Sequence, residues 1–326
     1  MSSPVGLSGK RAVMRPSSSL AEASTIEQSV GLGAGVAAVT ERLSELRAVI
    51  GLVNGRSELV TRYHSSPLKI AKTFRLDNQS WRQLAVVQMD GSPGLLEGDR
   101  YVLDWHLQEG TRLYATNQAY TRVHPCDSGD SRLRQRFRLE PGAVLEWIPE
   151  PVMLFRDAKF VAETEVDLAE GAICMLSDIF CPGRMSRGEA FAFRSYDAKV
   201  TVRYKGELMH YQRLKWEPAA LPLDNAGCFG SFTHIGAFSI FSDRVNAEAA
   251  IKVREMLESK IGEPEGLSWG IARTAKHGLV VQVAGNAAWK LQRLLLAAWD
   301  VVRLILLDQP PIRLLKEAWM SGINEQ

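Results

Sequence analysis

Cysteine is scarce in this chain. Four stand in 326 residues, at 126, 174, 181 and 228, and no two form a CxxC pair. That excludes a disulfide framework and a thiolate zinc ribbon, and predicts reduced thiols in a cytosolic protein. The six histidines, at 64, 106, 124, 210, 234 and 277, include no pair at helical ligand spacing and no HExxH or HxxEH string, so a closed zinc site is not expected. A Gly-x-Ser-x-Gly nucleophile elbow is missing too. Gly31, Gly33 and Gly35 follow no strand and precede no Gly-Lys-Ser/Thr, so they do not read as a phosphate loop. Neither charge sign dominates. With Lys+Arg 39 against Asp+Glu 37, the net charge of +2 argues against an obligatory nucleic-acid partner. No apolar signal segment follows Lys10-Arg11, so the Asn78-Gln-Ser80 sequon is expected to carry no glycan. The longest apolar run, 289–307, is broken by Arg293, Asp300 and Arg303, which share one side of a helical wheel with Lys290. It predicts a buried amphipathic helix rather than a membrane span.

What the chain does contain is a repeat. Asp104-Trp-His-Leu-Gln-Glu-Gly-Thr-Arg-Leu113, Phe137-Arg-Leu-Glu-Pro-Gly-Ala-Val-Leu145 and Val166-Asp-Leu-Ala-Glu-Gly-Ala-Ile-Cys174 carry one pattern: an alternating run, two turn formers, a glycine, a second apolar run. The glycines fall at 110, 142 and 171. A glycine fixed between apolar runs marks a tight connection in the left-handed region. Repetition of the unit predicts stacked β-strand pairs. The fold expectation is therefore mainly β, with stacked strand pairs and a C-terminal α/β lobe containing two helices. Residues 1–45 read as a poorly ordered extension, with a weak helix over 31–43; 46–216 as the β-rich body; 217–326 as the lobe packed on it.

Local signals fill in the elements. Asn54-Gly55 between 48–53 and 57–63 predicts a hairpin, as does Lys205-Gly206 between 198–204 and 208–214. Strands are expected over 68–74, 83–88 and 231–241, and a hairpin over 268–274 and 279–284. Asn246 is placed to cap a helix that ends at Lys260 before Gly262, with Val253, Met256, Leu257 and Ile261 as its apolar stripe. Pro310-Pro311 stops the final helix.

Chemistry-bearing candidates are few. His124 and Cys126 are the one close His/Cys pair, suited to weak coordination of a borderline ion such as nickel or simply parts of a surface loop. Asp99, Asp104, Glu146, Glu150, Asp178 and Glu189 lie on or beside expected strands, and a pair such as Asp99 with Asp178 would suit a β-fold hydrolase. Arg132, Arg134, Arg136 and Arg138 alternate along one strand, which sets them on one face, solvated or docking an acidic partner. Nothing here forms a convincing catalytic constellation. That leans toward a binding or assembly protein.

Four strings in order, Pro93-Gly-Leu-Leu-Glu-Gly-Asp-Arg100, Leu113-Tyr-Ala-Thr-Asn-Gln-Ala-Tyr-Thr-Arg-Val123, Leu145-Glu-Trp-Ile-Pro-Glu150 and Cys181-Pro-Gly-Arg-Met-Ser-Arg-Gly-Glu189, resemble the urease accessory protein UreD (UreH) family. The motif positions are Gly98, Asp99, Gln118, Thr121, Glu146, Trp147, Gly183, Arg184, Gly188 and Glu189. The chain departs from the family pattern at Glu97, Arg122, Ser177 and Met185-Ser-Arg187, and at Arg313-Leu314 near the C-terminus. The resemblance implies a β-rich, non-enzymatic urease maturation chaperone. It implies binding to apo-urease and to a helical accessory partner, UreF, which recruits a nickel-carrying GTPase, UreG. A dimer of such complexes is compatible with it. No tightly bound cofactor is implied, only transient Ni²⁺ moving along an internal polar passage, for which Asp99, Thr121 and Asp178 are the matching positions. Oxygen ligands would hold the ion loosely enough to release it.

Overall fold

The computed structural model describes residues 39–75 and 83–313. The strands are β1 (Arg42–Val53), β2 (Arg56–His64), β3 (Leu68–Phe74), β4 (Gln83–Asp90), β5 (Asp99–Leu107), β6 (Arg112–Asn117), β7 (Thr121–Val123), β8 (Ser131–Leu139) and β9 (Val144–Trp147). They continue with β10 (Val152–Leu154), β11 (Lys159–Leu168), β12 (Ile173–Cys181), β13 (Ser195–Tyr204), β14 (Glu207–Trp216), β15 (His234–Phe241), β16 (Leu267–Arg273) and β17 (Gly278–Gly285). Two α-helices, α1 (Ala247–Ile261) and α2 (Ala288–Val302), follow β15 and β17 respectively.

The three repeats stack as expected, and the two strands of each copy lie in facing sheets rather than hydrogen-bonding to each other. β5, β8 and β11 run parallel side by side in one sheet of order β14-β13-β11-β8-β5-β1-β2. β6, β9 and β12 do the same in the second, of order β16-β17-β15-β12-β9-β6-β4-β3. Short β10 and β7 branch from this second sheet, β10 pairing with the end of β12 and β7 with β10. Each repeat is thus one coil, and its glycine is the corner where the chain leaves one sheet for the other. Gly110, Gly142 and Gly171 have φ of 66°, 66° and 67°, which only glycine adopts without strain. The corners are laddered. Gly110 N–H donates to the Pro141 carbonyl at 3.0 Å and Gly142 N–H to that of Glu170 at 3.0 Å. The last coil has no successor, and Asp243 Oδ2 accepts from Gly171 N–H instead, at 2.9 Å.

Alternation along the strands explains the layers. Leu46, Leu103, Trp105, Phe137, Leu145, Trp147 and Phe160 pack between the two sheets. The opposite side of the second sheet, carrying Tyr114, Met175, Ile179 and Phe238, is covered by α1 and α2. β15 joins that sheet by antiparallel pairing to β12, with β17 and β16 beyond it. The expected hairpins at Asn54-Gly55 and Lys205-Gly206 are present as β1–β2 and β13–β14.

Three details differ from expectation. β1 begins at Arg42, so residues 42 and 43 are strand rather than helix; residues 31–38, like the 78–80 sequon and Leu314, lie outside the described residues. The buried stripe of α1 is Ala250, Val253 and Leu257, and Met256 is 40% exposed, one step round the helix from it. The polar side of α2 is not solvated throughout. Asp300 is 4% exposed, and Arg303, in the wider π-turn Arg303–Leu307 that ends the helix, is fully buried.

Candidate functional site

A cavity of about 340 Å³ lies between the sheets, and its origin is compositional. Along β12 the side chains that face the other sheet are Cys174, Leu176 and Phe180, all in the inter-sheet core, with Asp178 at the position between the last two. Opposite, the first sheet offers Gln135, Ala162, Thr164, Ala198 and Val200. These are small or polar, so the layers do not fill the space. Gln135 Nε2 donates to Thr164 Oγ1 at 3.2 Å across β8 and β11. Trp147 and Tyr196 wall the cavity.

Asp178 is surrounded by protein yet its side chain opens onto the cavity. Enclosure pushes its carboxyl up to about 6, opposed by the Ala237 N–H that donates to Oδ1 at 3.2 Å from β15. Burial also raises the Tyr196 hydroxyl, reinforced by the neighbouring Asp178 charge.

Toward one end the lining turns polar. Asp90 Oδ1 accepts from Ser92 N–H at 2.9 Å, and Gln118 Nε2 donates to the Asp90 carbonyl at 2.8 Å. Thr121 Oγ1 accepts from Asn117 Nδ2 at 3.4 Å, while Asn117 Oδ1 accepts from Glu150 N–H at 2.6 Å. Glu150 Oε2 in turn accepts from Gln292 Nε2 of α2 at 2.9 Å. A small void of about 20 Å³ beside Gln292 shares Pro149, Glu150, Ser177 and Ile179 with the main cavity. A row of oxygens and amides therefore runs from the inter-sheet space past the end of β9 to the helical layer.

The structure brings Thr121 and Asp178 to this one cavity and leaves Asp99 out of its lining. Asp99 is 7% exposed at the start of β5, where its carboxylate takes Arg42 Nε at 2.8 Å and Leu96 N–H at 2.7 Å. It closes the turn whose Gly98 has φ 85°, and it shares no site with Asp178 for acid–base work. His124 and Cys126 face different partners. The His124 ring meets the Pro93 carbonyl at 3.2 Å, and the buried Cys126 thiol, raised by burial, points at the carbonyls of His124 and Lys159.

The other motif positions are mostly structural. Gln118 and Trp147 line the cavity. Arg184 clasps Glu189 through two hydrogen bonds of 2.7 and 2.5 Å and lies 4.2 Å over Phe155. The clasp closes a loop that turns on Gly183 and Gly188, with φ of 144° and 67°. Glu146 is fully buried against Arg303. Arg132, Arg134 and Arg138 form the expected solvated row, with Arg136 partly covered, and Arg134 and Arg136 share Glu165 on β11.

Sequence reasoning did not reach Gln292 or Arg303 as partners. The one signal for Arg303 was a lone cation inside Val301-Val-Arg-Leu-Ile, matched by a lone anion inside Val144-Leu-Glu-Trp.

Among the described residues no three His, Cys, Asp or Glu side chains converge on a point that could hold a metal. No described helix is long and apolar enough to cross a membrane. The family profile described as UreD urease accessory protein matches residues 43–316. A urease accessory protein UreD of Acetivibrio thermocellus is 31% identical over 242 residues, covering 74% of this chain and 90% of the relative. A UreD of Actinobacillus pleuropneumoniae is 27% identical over 241 residues, with 74% and 89% covered. A urease accessory protein UreH of Helicobacter hepaticus is 25% identical over 239 residues, with 73% and 90% covered.

Proposed function

Because the chain belongs to the UreD family of urease accessory proteins, we propose that it passes Ni²⁺ through its inter-sheet cavity toward apo-urease while bound to a helical partner of the UreF kind, which brings the UreG-like GTPase. The protein catalyses no reaction of its own in this reading, holds no resident cofactor, and works in the cytoplasm. The observation that carries the proposal is the shared cavity: Thr121 and Asp178 line one interior space, and a row of oxygens leads from it by Asn117 and Glu150 to Gln292.

The chemistry suits a cargo ion. Hard oxygen donors, few at any point, bind a divalent ion more weakly than the imidazole and thiolate sets that store it. The carboxylate of Asp178 supplies the negative charge that draws the ion between the sheets, and the amide and hydroxyl groups replace part of its hydration shell. Trp147, Leu176 and Phe160 supply apolar wall beside these groups, while Gln135 and Thr164 offer further weak oxygen donors across the cavity.

The test is urease activation in a strain deleted for this chain and supplied with nickel. Wild-type chain restores activity. Asp178→Asn restores little while still co-purifying with the helical partner and apo-urease. If urease reaches full nickel content in the deletion strain, the accessory reading is wrong. If Asp178→Asn activates urease as wild type does, the cavity is not the route.

A further inference from the structure

A second recess, of about 600 Å³, lies on the helical layer, away from the inter-sheet cavity. The end of α1, the 264–267 turn, the outer side of α2 and Arg313 bound it. Its charge is of the wrong sign for a metal cargo. Lys260, Lys290, Arg293 and Arg313 line it, against Glu265 and Asp300. Asp300 is already used, since its carboxylate takes Lys260 at 2.8 Å and Arg313 at 2.7 Å. Lys290 donates to the backbone carbonyl of Glu265 at 3.2 Å, and among the described residues no carboxylate pairs with it. Beside this cationic rim Trp289 is 41% exposed, with Lys290 and Arg293 stationed 5.8 and 6.0 Å from its ring. The floor, which includes Ile261, Pro264, Leu294 and Ala297, is apolar.

An exposed tryptophan flanked by arginine and lysine over an apolar floor is the composition of a protein-interface anchor. Charge fixes the kind of occupant. We infer that this groove docks an acidic segment of a protein partner, with carboxylates over Lys290 and Arg293 and an apolar side chain against Trp289. Leu296 lines both this groove and the small void beside Gln292, so the docked segment sits next to the helical end of the polar row. The partner's identity as a urease maturation component rests on the function proposed above; the acidic character of its docking segment rests on the groove alone.

The experiment is capture by the full chain of purified apo-urease and accessory proteins in a defined mixture, over a salt series. In Lys290→Glu/Arg293→Glu, capture of one component falls at least tenfold, and for wild type it weakens steeply with salt. Trp289→Ala lowers the same capture at all salt concentrations. Arg138→Glu/Arg203→Glu, an equal charge change on the exposed outer sheet, leaves it intact, and thermal melts confirm that every variant is folded. Equal capture by wild type and Lys290→Glu/Arg293→Glu overturns the groove while leaving the accessory function standing, as does loss in the outer-sheet variant only. A chain ending at Arg313 that captures more than the full chain would show residues 314–326 to be the occupant, which also overturns the proposal. If wild type captures nothing and supports no urease activation, both readings fall.

Discussion

Arg303 Nη1 contacts both carboxylate oxygens of Glu146 at 2.5 Å, and neither side chain has exposed surface. The remaining valences are filled. Gln83 Nε2 donates to Oε1 at 2.6 Å, Trp299 Nε1 to Oε2 at 2.6 Å, and Arg303 Nε to the Pro310 carbonyl at 2.9 Å. This cluster bolts the end of α2 and the chain after it to β4 and β9. Removing one partner strands a buried charge, so Arg303→Met or Glu146→Leu should each cost about 3–5 kcal/mol in urea unfolding. The double variant Glu146→Leu/Arg303→Met should recover most of that loss, because no orphaned charge remains. Additive losses in the cycle would show that packing, not the ion pair, sets the effect.

Asp178 should make the protein less stable as the pH rises. Its folded carboxyl titrates at about 6, above its ordinary 3.8. Between those values the folded state holds more proton than the unfolded, so stability falls with rising pH through this window and stays reduced above it. Asp178→Asn should therefore raise Tm at pH 7.5 and leave it near wild type at pH 4. Cavity water screens the charge, which limits the gain to about 1 kcal/mol. A variant that gains stability while urease activation drops would separate function from folding at this residue.

His234 predicts a slope of the opposite sign. It is 4% exposed on β15, and burial lowers its imidazole to about 4 from 6.5. The unfolded chain takes up that proton first, so the stabilisation is whole above pH 6.5 and is lost as pH falls toward 4. The full shift corresponds to about 3 kcal/mol. Thr233 Oγ1 contacts Nδ1 at 2.8 Å, so His234→Gln is the replacement that keeps a polar group in place. Its acid unfolding profile between pH 6.5 and 4 should be flatter than that of wild type.

The legible features were those whose cause is local. Gly110, Gly142 and Gly171 could be read because the corner they form demands positive φ. Asn246 could be read because its side chain caps the nearby Ala249 N–H. The switch of each repeat from one sheet to the other could not, since a tight turn at glycine serves a hairpin equally well. Glu146 and Arg303 are 157 residues apart, and nothing local links them. Asp178 and Thr121 were candidates by resemblance to a family motif rather than by geometry. Asp99 stood on the same footing, yet it turns inward to close its own turn. A motif records that a residue matters and does not separate a turn-closing carboxylate from one that faces a cavity.

The coil stack needs an end, and Asp243 provides it. Its Oδ2 takes both Gly171 N–H at 2.9 Å and the Tyr204 hydroxyl at 2.8 Å, standing where a further coil would present a carbonyl. Repeat folds expose unpaired backbone at their last unit unless something caps it. Asp243→Ala should leave the Gly171 N–H without its acceptor and cost about 1–3 kcal/mol. Asp243→Asn keeps an oxygen acceptor of the same reach and should recover most of the loss. Hydrogen exchange is the sharper readout, because the Gly171 amide should lose protection in the alanine variant while the Gly110 and Gly142 amides, bonded to the next coil, keep theirs. Equal loss at all three corners would mean that the ladder opens as one unit and that Asp243 is not its cap.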